Sequence, residues 1–112
     1  MPDRPDSDRL LDILDEIAII EKALRGLSYE EFLADEVKRH AVLHALQTIG
    51  EAANYISDAT LAKMPDAPWA QIRGMRNRIV HGYFGIDSLA VWRTATEETP
   101  ALRQTISQSG LT

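Results

Sequence analysis

Pro68-Trp69-Ala70-Gln71-Ile72-Arg73-Gly74-Met75-Arg76-Asn77-Arg78-Ile79-Val80-His81-Gly82-Tyr83 reads as a helix that carries its own punctuation. Proline is tolerated in a first turn, where its missing N–H is not needed, so Pro68-Trp69 marks the start. Gly82, with Gly85 close behind, marks the stop, because glycine enters the left-handed cap conformation without steric cost. At about 100° per residue, Met75, Ile79 and Val80 fall within roughly 80° of Ile72 and form the buried stripe. His81 lies near ~180° and Asn77 near ~140°, on the polar side, with Arg73 near ~100°. Arg76 projects near ~40°, inside the apolar sector, where a charge is costly unless it is paired or its head reaches water. Two readings stand for it: a snorkelling side chain, or a charge kept for function at the expense of a local rule.

The same period of 3.6 runs through the rest of the chain. Leu10, Ile13, Leu14, Ile17, Ala18, Leu24 and Leu27 define a first amphipathic helix from about residue 8 to 25, ended by Gly26. Ser28-Tyr29-Glu30-Glu31 is a capping box that opens a short helical turn. A long helix from about Asp35 to Ser57 follows, with Val42, Ala45, Leu46, Ile49, Ala53 and Ile56 on its apolar face. Its other face carries His40, His44, Gln47, Glu51 and Tyr55. His40 and His44 at i, i+4, with Glu51 further on, suit either a divalent metal or, more commonly, a solvated surface. Gly50, Ala52 and Ala53 permit close approach of another helix, inside the monomer or at an active-site or dimer contact. The stretch Asp58–Ala67 is a connector with one helical turn. Asp87 caps a further helix through Leu89, Val91 and Trp92, which Pro100 kinks or interrupts before a turn through Leu102 and Ile106. The tail from Ser107 is expected to fray. With no strand alternation and no repeat, the expected fold is all-α, an up-and-down bundle of four to five helices in one domain over residues 1–112.

The chemistry concentrates in Arg76-Asn77-Arg78-Ile79-Val80-His81-Gly82-Tyr83. Arginine's planar fork matches phosphate oxygens. Histidine exchanges a proton near neutral pH, and a helix C-terminus favours cations. Asn77, four residues before His81, can hold the imidazole or touch substrate. Such a set suits metal-free phosphodiester work: transfer of an RNA 2′-hydroxyl onto the neighbouring phosphate, with histidine as acid or base and arginine neutralising developing charge. DNA lacks that hydroxyl.

Arg76-x4-His81-x-Tyr83 resembles the R-x4-H-x-Y signature of the HepT-like toxins in the HEPN superfamily. The resemblance extends over nearly the whole chain, through Gly26–Phe32, Ile49-Gly50-Glu51-Ala52-Ala53, Pro68-Trp69 with Ile72, Gly74–Arg78, and Phe84-Gly85-Ile86-Asp87 leading to Trp92. It implies a small helical homodimer that cleaves RNA, with tRNA as the reported substrate. Arg76 and His81 carry over as catalytic, and Asn77 as a supporting residue; Arg73, Arg78 and Glu51 join as candidate substrate contacts. The family's partner is a minimal nucleotidyltransferase antitoxin that silences the toxin by transferring AMP to the motif tyrosine, here Tyr83. No cofactor is implied. Read without the resemblance, Tyr83 is a partly buried tyrosine with a bonded hydroxyl.

Composition bounds the alternatives. At 112 residues, 45% hydrophobic and 26% charged, the chain suits one ordered domain with a modest core. Cysteine is absent, which removes disulfide and thiolate chemistry. The start, Met1-Pro2-Asp3-Arg4, is polar and acidic rather than a signal peptide, and no apolar run approaches ~20 residues, so a cytoplasmic location is expected. The net charge of −5 argues against non-specific nucleic-acid binding by the whole surface. Residues 1–66 hold 7 Lys/Arg against 14 Asp/Glu, whereas 67–112 hold 5 against 3. The basic side centres on Arg73, Arg76 and Arg78; the acidic half is a solvated surface or a face for a basic partner. Two other functions remain: a helical module that binds RNA, nucleotide or protein without turnover, and a purely structural adaptor.

Overall fold

The computed structural model describes residues 4–82 and 85–112. Helix α1 spans Asp6–Leu24, beginning with Asp6 and Asp8 in a first turn whose free N–H groups favour carboxylates. It ends ahead of Gly26, whose φ of 72° is costly for any residue with a Cβ. The capping box forms in both directions: Glu31 N–H donates to Ser28 Oγ at 3.1 Å and Ser28 N–H to Glu31 Oε1 at 2.9 Å, opening α2, Tyr29–Ala34. Asp35 caps α3, Glu36–Tyr55, by accepting from Lys38 N–H at 3.0 Å. A short α4, Asp58–Ala62, precedes α5, Trp69–Gly82. Asp87 Oδ1 accepts from Leu89 N–H at 2.9 Å and opens α6, Ser88–Arg93. A π-helical segment, Thr94–Glu98, then leads into α7, Thr99–Ser109.

Paired residues fix the register. Asp6 meets Ser57 and Arg9 lies over Tyr55, so α1 and α3 run antiparallel. Arg73 reaches Ala53 and Arg76 faces Gly50, so α3 and α5 do too. Helix α3 is therefore the middle of a three-helix layer. The α6–π–α7 arm covers that layer, touching α5 through the π segment and α1 through α7, where Arg103 pairs with Glu21 at 3.2 Å. Between them lies the core: Leu10, Ile13, Ile17 and Ile20 of α1, Val42, Leu46 and Ile49 of α3, Ile72, Met75 and Ile79 of α5, and Leu102 and Ile106 of α7. Trp92 fastens α2 to the arm, its ring 5.3 Å from Phe32 and 5.8 Å from Tyr29. The bundle is all-α, and among the described residues no helix is long and apolar enough to cross a membrane.

Five expectations are corrected. Val80 is 40% exposed and Ala18 is exposed, because each sits at the margin of its stripe, where the neighbouring helix no longer covers it. Gly82 has no left-handed φ and so is not the αL cap expected of it. Pro100 does not interrupt the arm. In a regular helix its ring would collide with the carbonyl four residues back; the π-widened turn makes room. Thr99 N–H donates five residues back to Thr94 O, and the Ala95 carbonyl freed by that shift accepts from the buried Thr99 hydroxyl at 2.8 Å. The tail is helical to Ser109, ends at Gly110 with φ 73°, and sends Leu111 back against the core.

Asp6 ties the start of α1 to the start of α4. Its carboxylate accepts from Ser57 Oγ and Thr60 Oγ1, both at 2.6 Å. The Ser57 hydroxyl, then that of Thr60, holds the acid below the usual carboxylate range. A lowered folded-state value stabilises the fold above the unfolded pKa, and that contribution is lost as pH falls through the folded one. Asp6→Asn is therefore expected to melt lower than wild type at pH 7, with the gap closing on acidification; thermal melts from pH 7 to 3 check it.

Candidate active site

Helix α5 carries the site because its two faces have different tasks. Ile72, Met75 and Ile79 are buried against α3 and the arm, which fixes the rotation of the helix about its axis. That rotation turns Asn77, Arg78 and His81 outward, all three exposed. They line one groove of about 500 Å³ with Gly82, Gly85, Ile86 and Asp87. The imidazole thus sits in the last turn of α5, reachable from solvent and flanked by a guanidinium, an amide and a carboxylate.

Arg76 does not line this groove but bonds to a residue that does. Its stem lies against α3 and its Nε is enclosed, with no hydrogen-bond partner among the described residues. Its head emerges, and Nη1 donates to Asn77 Oδ1 at 3.2 Å. The stem thus snorkels along apolar surface, as one of the two readings expects, and the head arrives beside a groove residue.

Arg73 and Glu51 lie elsewhere. Arg73 Nη2 donates to Ala53 O at 3.4 Å, a carbonyl in the last turn of α3, where a cation complements the helix dipole. Glu51 accepts from Gln47 Nε2 at 3.2 Å and lines a separate, acidic groove between α1 and α3 with Asp12, Asp15 and Glu16. The acidic groove and the His81 groove are thus two different surfaces. Tyr83, the proposed modification site, lies outside the described residues. Among the described residues no three His, Asp or Glu side chains gather as a metal site; His40 and His44 are exposed on α3.

Two residues escaped the sequence reading. Asp87 was legible as a cap, but its place in the His81 groove is a relation between two elements that spacing within either does not contain. Arg9, 7% exposed, stacks over the Tyr55 ring at 4.7 Å, with Nε and Nη2 enclosed and unbonded. Its signal was available: Arg9 falls about 40° from Ile13 on the buried stripe of α1, the same offset that marks Arg76 from Ile72.

Residues 13–109 match a family model described as "Ribonuclease HepT-like". A protein named "Putative RNase MJ1380" from Methanocaldococcus jannaschii is 35% identical over 87% of this chain and 89% of its own. One named "Probable ribonuclease HepT" from Thermococcus cleftensis is 37% identical over 89% of this chain and 91% of its own. No solved structure matches the chain.

Proposed function

This chain belongs to the HepT-like ribonuclease family, and from that premise we propose that it is a metal-independent endoribonuclease of a cytoplasmic toxin–antitoxin module, acting on tRNA. The observation that carries the reading is the meeting of His81, Asn77 and Arg78 in one open groove, with the Arg76 head bonded to Asn77. In the reaction, the 2′-oxygen of RNA forms a bond to the adjacent phosphorus while the P–O5′ bond breaks. A base takes the 2′-hydroxyl proton and an acid returns one to the departing 5′-oxygen. His81 serves one of these roles, and the arginine head steadies the charge growing on the phosphoryl oxygens. One chain supplies one such histidine, so a two-fold homodimer apposing two grooves provides the other.

Regulation falls on Tyr83, two residues beyond His81. A minimal nucleotidyltransferase transfers AMP from ATP to the phenol oxygen, with release of pyrophosphate. The adduct brings bulk and negative charge two residues from His81 in the chain and competes with substrate for arginine.

End-labelled tRNA incubated with the purified protein in excess chelator tests the reading. Cleavage leaving a cyclic phosphate, abolished by a single 2′-deoxy nucleotide at the mapped position, is expected. Cutting at the deoxy position, or a metal requirement, overturns the mechanism; RNA that is bound yet recovered intact indicates a binding module. With the transferase and ATP, wild type is expected to gain one AMP and lose activity, whereas Tyr83→Phe stays unmodified.

A further inference from the structure

Helix interiors disfavour glycine relative to alanine, so a buried glycine in the middle of α3 needs a cause. Gly50 is such a residue. A methyl group placed on it would stand 2.2 Å from Arg76 Cβ, 2.6 Å from Arg76 Cγ and 3.5 Å from the Ile72 carbonyl oxygen. Carbon atoms pack at about 3.5–4.0 Å, so the first two distances are deep collisions. Neither partner is the free end of a flexible side chain. Cβ is fixed by the α5 backbone, so relief requires α5 to move away from α3.

We propose that Gly50 is the positioning residue for Arg76. The missing side chain leaves a notch in α3 that seats the arginine's stem on the otherwise apolar stripe of α5. Seated there, Nε is enclosed and Nη1 donates to the Oδ1 of Asn77, a residue lining the His81 groove. Filling the notch would push out the stem, withdraw the head from Asn77 and loosen the neighbouring Arg73–Ala53 bond. The functional half of this inference rests on the ribonuclease reading; the seat itself does not.

Gly74 provides a matched control, since a Cβ there meets nothing within 4 Å. Gly74→Ala is expected to melt at or above wild type, as helix propensity alone dictates. Gly50→Ala is expected to melt lower, to displace the Arg76 Nε–Hε resonance in NMR spectra, and to lower kcat about 10²-fold with a smaller change in KM. Arg76→Gly removes the opposing Cβ. Added to Gly50→Ala, it is expected to raise the melting temperature again, and in the Arg76→Gly background Gly50→Ala should cost no further activity. Gly50→Ala melting as high as Gly74→Ala, or additive losses in the double variant, overturns the seat. A lowered melting temperature with the Arg76 resonance and kcat unmoved overturns positioning. Should Gly50→Ala fail to fold, the double variant decides: recovery of the fold supports the seat, and its failure overturns it. If wild type cleaves no RNA, the melting cycle and the resonance still judge the seat, and only the ribonuclease reading falls.

Discussion

Replacing His81 with alanine is expected to lower RNA cleavage by roughly 10²–10⁴-fold, the range for a positioned acid or base. The fold should not notice. His81 is exposed in the last turn of α5, and substitutions at such surface positions move stability by within about 0.5 kcal/mol. Cleavage rates on mapped tRNA, measured beside thermal melts of the same preparations, separate the two effects. An alanine variant that cuts at the wild-type rate would remove His81, and with it the groove, from the proposed chemistry.

Arg76→Met carries the second large effect and the less intuitive sign. Methionine keeps a Cβ and Cγ seated over Gly50, yet it discards the charge and the enclosed Nε–H that has no partner. A buried, unsatisfied donor costs about 1–3 kcal/mol, and replacing such a group with apolar surface of similar shape is often neutral or stabilising. Urea denaturation should therefore show stability equal to wild type or higher. Cleavage, by contrast, should fall about 10²–10³-fold, the loss typical of removing one group that stabilises developing charge. Arg76→Ala would add a cavity over the notch and blur this contrast, so methionine is the cleaner probe. Activity preserved with stability lost would make Arg76 a structural residue and sink its catalytic assignment.

Much of the fold was legible because burial and periodicity report the same thing. The α3 stripe of Val42, Ala45, Leu46, Ile49, Ala53 and Ile56 is buried throughout, and the Ser28–Glu31 box and Asp87 cap the helices they were expected to cap. These are local bonds between residues two to four apart, which a one-dimensional reading captures. Pro100 was misread for a complementary reason: its usual consequence was cancelled by a π-widened turn that no local rule announces. At the site, the face of α5 that bears Asn77 and His81 followed from angle alone, and Arg76 announced itself by violating the pattern.

What the sequence by itself determined is thus the set of helices and their buried faces, and it singled out the eight-residue stretch proposed to carry the chemistry, since each depends on neighbours along the chain. The tertiary structure alone decided which of the charged candidates share a surface. It sent Arg73 to the end of α3 and Glu51 to the α1–α3 groove, brought Asp87 beside His81, and opposed Gly50 to Arg76 across a helix crossing. The reason is geometric: those relations join residues on different helices, and their distances are set by how closely two backbones pack, a quantity that no spacing within one helix contains.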